Sequence, residues 1–134
     1  MNARRMQVCT RLGTEFGQAL ETMVLRTPGA YAGVVSDEEG DAIDYAHDPE
    51  RIDGLEVQLL GAQIGLPLFR LHRTANAQGF DDALLMIETR THNLVASPVG
   101  QAFAVAMLLD RRANLGRALK AFADGRDALR ALLA

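Results

Sequence analysis

Between Gln101 and Leu109 the chain is apolar on both of its alternating registers. Phe103, Val105 and Met107 stand on one, and Ala102, Ala104, Ala106 and Leu108 on the other. A strand of this kind is buried on both faces, so the fold must supply one covering layer above it and another below. Asp110-Arg111-Arg112 is its polar exit. The rest of the chain has to provide both layers and the neighbouring strands.

Ala30 to Ser36 has the same character, with Ala32 and Val34 on one face and Tyr31 and Val35 on the other. Asp37-Glu38-Glu39-Gly40 reads as a turn, its glycine free to take a positive φ. Ala42 to Ala46 then alternates, Ile43 and Tyr45 against Asp44, the pattern of an edge strand with one wet face. Further on, Asp82 to Glu88 carries Leu84, Leu85, Met86 and Ile87 in a row. Arg90 to Asn93 turns the chain into a brief strand, Leu94 to Ser97, ended by Pro98-Val99-Gly100.

Three segments have helical spacing. Arg4 to Arg26 places Val8, Leu12, Phe16, Ala19, Leu20 and Met23 three and four residues apart, with Cys9 beside that face as a small buried hydrophobe. Thr27-Pro28-Gly29 stops it, because proline cannot continue the ladder. The last helix, Ala113 to Leu133, buries Leu115, Ala118, Leu119, Phe122, Leu129, Leu132 and Leu133, with Gly125 marking a break.

The middle helix is the unusual one. Asp48-Pro49-Glu50 has the makings of a helix start, and the helix is expected to run to about Ala75 with a kink at Pro67. At about 100° per residue two apolar seams emerge. One is Leu55, Leu59, Ala62, Leu66 and Phe69; the other is Val57, Leu60, Ile64, Leu68 and Leu71. Gly54, Gly61, Gly65 and His72 lie between them on one side, and Glu56, Gln63, Arg70 and Thr74 on the other. Each interior glycine costs roughly 1 kcal/mol of helix propensity relative to alanine. Close approach of this helix to a sheet would compensate. A surface helix on a monomer needs one seam, so the second calls for another chain.

The order is helix, two strands, helix, three strands, helix. Short connections make the sheet antiparallel, giving an α+β, three-layer α/β/α sandwich in a single domain spanning residues 1–134. That order resembles the roadblock (dynein light chain) family, especially its bacterial members. The likeness rests on the hairpin from Gly29-Ala30 through Val35-Ser36 to Gly40. It rests also on Leu84 to Gly116, with Ser97-Pro98-Val99-Gly100 and Asn114-Leu115-Gly116, and it covers about residues 14–125. The resemblance implies a profilin-like, five-stranded sheet in the order 2-1-5-4-3. It further implies a homodimer or heterodimer, here taken as a homodimer, in which the third strand pairs with its copy and the middle helices lie side by side. Contact with a small Ras-like GTPase, without chemistry by the chain itself, is the function it implies. On that reading Leu55, Leu59, Ala62, Leu66, Leu85 and Ile87 form the dimer interface, and Glu56, Gln63 and Arg70 face the partner. The alternatives are a ligand sensor of the PAS, GAF or longin kind, and a pure dimerisation module.

Composition narrows the remaining classes. Scattered basic residues, 14 Lys+Arg against 17 Asp+Glu, offer no phosphate-tracking stripe, and the absence of tryptophan argues against a base-stacking platform, so no nucleic acid is expected. The longest apolar run, Ala102 to Leu109, is too short to span a bilayer, and no membrane insertion is expected. One cysteine suits a reducing, cytoplasmic setting. His47, His72, His92 and Cys9 show no metal-ligand spacing, and neither a G-x-S-x-G element nor a phosphate-binding glycine loop is present. No cofactor and no catalytic residue is expected.

Overall fold

The computed structural model describes residues 6–79 and 83–133. Its elements are β1 (Cys9–Thr10), α1 (Glu15–Arg26), β2 (Ala30–Asp37), β3 (Ala42–His47), α2 (Gly54–Ala77), β4 (Leu85–Glu88), β5 (His92–Val99), β6 (Phe103–Asp110) and α3 (Leu115–Leu133). All strand pairs are antiparallel, in one six-stranded sheet ordered β1-β3-β2-β6-β5-β4. The five expected strands keep their expected sequence across the sheet. The count is corrected by β1, which pairs Cys9 with His47 and Thr10 with Ala46.

That short strand changes three expectations. Cys9 is exposed on an outer strand rather than buried on a helix. β3 is no longer an edge. The first helix starts at Glu15, because Gly13 takes φ 66° and Thr14 caps the helix by accepting the Gly17 N–H at 3.2 Å. Asp44, read as the wet side of β3, is fully buried beneath this start. Its Oδ2 accepts from the Thr14 N–H (3.0 Å) and hydroxyl (2.6 Å), and its Oδ1 from the N–H groups of Leu12 (3.1 Å) and Tyr45 (2.8 Å).

β6 is the central strand its composition demanded. Val105, Met107 and Leu109 face α1 and α3 in a core with Leu20, Met23, Val24, Phe122 and Leu129. Ala104, Ala106 and Leu108 face α2, in a second core with Tyr31, Val34, Val57 and Leu68. Large side chains separate the sheet from α1 and α3, whereas small ones let α2 come close. A Cβ on Gly61 would stand 3.0 Å from Val34 Cγ2, and one on Gly54 would collide with the Tyr45 hydroxyl.

Other boundaries shift for local reasons. α2 is capped by Asp53, which accepts the Glu56 N–H at 2.8 Å, and Asp48 instead holds the turn before it. The helix continues through Pro67, whose ring sits on the exposed side, to Ala77. β5 runs from His92 to Val99, so Ser97 and Pro98 lie inside it and Gly100, at φ 64°, makes the turn. Gly125 does not break α3; it gives room to Met23 of α1. The expected strand from Asp82 is Leu85–Glu88, and Asp82 lies outside the described residues.

Candidate functional surface

The two seams of α2 part company against the sheet. Val57 and Leu68 are fully buried, and burial of each is worth roughly 1.5–3 kcal/mol. Leu60 and Ile64 pack at the margin of the same core. The other seam looks outward: Leu55 is 65% exposed, Leu59 52% and Leu66 50%. Phe69, expected to end that outward seam, turns under the helix and is 5% exposed. Glu56, Gln63 and Arg70 all lie on the solvent side.

Two grooves flank the helix. Toward the β2–β3 turn, Leu55, Gln58, Leu59 and Ala62 line one with Gly40, Asp41, Ala42 and Arg11. Toward β5 and β6, a groove of about 360 Å³ is lined by Glu56, Leu59, Leu60 and Gln63 with Tyr31, Arg51, His92 and Leu108. The crest between them is Leu59. Ala62 leans on the turn at Gly40, leaving Leu55, Leu59 and Leu66 as the prominent apolar points.

β4 carries the remaining predicted residues. It pairs on one side only, through Leu85↔Ala96, Met86↔Val95, Ile87↔Leu94 and Glu88↔Asn93. Alternation puts Leu85 and Ile87 on the α2 face, where Leu85 touches the core and Ile87 is 37% exposed. The structure therefore places all six expected interface residues at or beside the α2 layer, but on different flanks. Leu85 and Ile87 share the β4 side with Leu60 and Ile64, whereas Leu55 and Ala62 face the β2–β3 turn.

A polar cluster that the sequence did not reveal closes the β5–β6 groove. Arg51 is held by both carboxylate oxygens of Asp110, and its guanidinium lies 4.5 Å from the centre of the Tyr31 ring. Tyr31 Oη lies 2.6 Å from His92 Nδ1. Burial pushes the Tyr31 hydroxyl above its ordinary value; Arg51 partly offsets this and Asp110 adds to it, so the phenol stays neutral. These four residues come from β2, the loop before α2, β5 and β6, and no spacing in the chain links them. The cluster ties the α2 entry to the sheet. Among the described residues no group of His, Cys, Asp or Glu could hold a metal ion, and no helix is long and apolar enough to cross a membrane.

No family model and no curated protein matches the chain. Solved structures do. MglB of Myxococcus xanthus is similar over 89% of this chain and 87% of its own, with TM-score 0.75 and 17% identity. A Roadblock/LC7 domain from Streptomyces avermitilis covers 87% of this chain and 96% of its own, at TM-score 0.73 and 21% identity. Profilin IA of Acanthamoeba castellanii gives TM-score 0.54 at 11% identity, covering 89% of this chain and 99% of its own. At these identities the likeness establishes the fold, and it is the roadblock fold, profilin-like in its layers.

Proposed function

We propose that the chain is a dimeric, non-enzymatic adaptor that regulates or scaffolds a small Ras-like GTPase. The observation that carries the reading is the apolar crest of α2, three leucines at half exposure or more, beside the unpaired outer edge of β4. A strand edge with exposed Met86 and Ile87 is a template for another strand, and a helix of this kind is a template for another helix. On a roadblock fold the two together support a two-fold dimer, with β4 against β4 and α2 beside α2. Leu85, Ile87, Leu59 and Leu66 stand in its interface. Pairing at β4 also brings in Leu60 and Ile64, while Leu55 and Ala62 extend the exposed platform on the far flank. Glu56, Gln63 and Arg70, doubled by the two-fold, are the polar face offered to the GTPase.

The GTPase comes from the family resemblance, and the exposed polar strip of α2 supports a contact there. Light scattering across the micromolar range should return twice the chain mass; a monomer throughout would sink the dimer. Co-purification from the native extract, loaded with GDP or with a GTP analogue, should retain a small GTPase in a nucleotide-dependent manner. No recovery in either state would remove the GTPase from the reading, and equal recovery in both would leave a scaffold and remove the regulator. A pure dimerisation module is the outcome if the mass doubles and no GTPase is retained.

A further inference from the structure

On the face opposite α2, two corners of the chain meet. Gly29, at the α1–β2 corner, lies so close to Ala113, at the β6–α3 corner, that a Cβ there would stand 2.8 Å from the alanine's. Arg112, next to Ala113 in the chain, is exposed, as are Arg26, Arg117 and Lys120. Between α1 and α3 runs a groove of about 370 Å³, lined by Arg26, Pro28, Arg117, Lys120, Ala121 and Asp124. The one acid there, Asp124, sits at one end, 3.8 Å from Lys120. Asp110, beneath the corner, is engaged by Arg51 on the other face. In a chain of formal net charge −3, a groove lined by three cations and one acid is a marked segregation.

We propose that this groove docks an acidic, extended segment of a partner protein. Charge complementarity selects the partner's sign, and the shape selects its form. The cations stand on both walls, Arg26 on α1 and Arg117 and Lys120 on α3, so a chain lying between them meets positive charge from two sides. Asp124 sets the polarity, since an acidic run must end before reaching it. A bilayer fits less well, because none of the large exposed apolar side chains lines the groove and its floor is Pro28 and Ala121. The surface lies across the sheet from α2, so its occupant would not compete with one bound there.

Fluorescence anisotropy with a labelled dodecapeptide of alternating Glu and Asp tests this on the full chain. Binding is expected at low ionic strength, weakening as salt is added. The exposed pair R117E/K120E should weaken it about tenfold or more, whereas R73E/R90E, an equal charge change at exposed residues outside the groove, should not. The reversed variant should in turn bind a Lys-rich dodecapeptide better than the wild type does, with a circular dichroism spectrum and melting transition unchanged from the wild type to show that it is folded. Equal weakening by R73E/R90E, or no peptide binding at low salt, would overturn the proposal. So would binding to phosphatidylserine vesicles or inorganic phosphate without binding to the peptide. A salt-sensitive self-association lost in E38K/E39K would assign the groove to the acidic turn of a second copy, and would overturn it equally.

Discussion

Asp44 shows how one side chain sets a boundary that helical spacing alone misplaces. Burial would raise its carboxyl, but the Thr14 hydroxyl and the N–H groups of Leu12, Tyr45 and Thr14 outweigh that and hold it below the ordinary value of 3.8. The carboxylate thus positions Thr14, and Thr14 caps α1. A group whose folded value is depressed stabilises above its unfolded value and loses that stability as pH falls through the folded one. Asp44 should therefore contribute fully at neutral pH and progressively less below about pH 4. Asp44→Asn removes the charge and sets an NH2 donor against two of the four donors the carboxylate accepts, and should cost on the order of 1–3 kcal/mol at pH 7. Urea denaturation at pH 7 and pH 3 checks both points, since the gap between wild type and variant should narrow in acid. A pH-independent gap would refute the charge argument.

At the scale of the element, α2 reports how closely a helix can sit on a sheet. Gly61 and Gly65 both occupy its underside, yet their surroundings differ. A Cβ on Gly61 meets Val34 Cγ2 at 3.0 Å, while one on Gly65 meets Ser36 Oγ at 3.4 Å, an ordinary contact. Gly65→Ala should accordingly gain helix propensity and raise stability by roughly 0.5–1 kcal/mol. Gly61→Val must push the helix off β2 and should lose about 1–3 kcal/mol. Thermal melting of the two variants should move in opposite directions; a shared sign would mean that the small-residue line does not set the helix–sheet distance. The line itself was legible in the sequence, because glycine at helical spacing is costly without a close neighbour. Which seam would lie down was not: both are apolar, and only the alanines of β5 and β6 beneath Val57 and Leu68 decide it.

At the scale of the whole molecule, the open features are the β4 edge and the crest of α2. If they pair in a second copy, Ile87→Lys places a charge on the new strand and Leu59→Glu one on the helix crest. Each should shift the dimer to monomer at micromolar concentration, seen by light scattering, with the circular dichroism spectrum unchanged. Leu12→Glu, at a leucine by β1 more exposed than either, should leave the mass alone. A dimer that survives both interface variants would place the contact elsewhere.

The sequence by itself determined the layers, the number of helices and the central place of the Phe103–Asp110 strand, while the order of the five strands came from the family resemblance. Periodicity records which faces need covering, and doubly apolar strands such as Phe103–Asp110 have few ways to be covered. It also singled out α2 as a helix with more apolar surface than one neighbour can bury. Tertiary structure alone decided the sixth strand, the burial of Asp44, the outward seam of α2 and the Tyr31–Arg51–His92–Asp110 cluster. Each depends on contacts between residues tens of positions apart, and a hydrogen bond or close approach at that range leaves no period in the chain. Two residues pairing with β3, and one carboxylate receiving four donors, are too short and too particular for any pattern to carry.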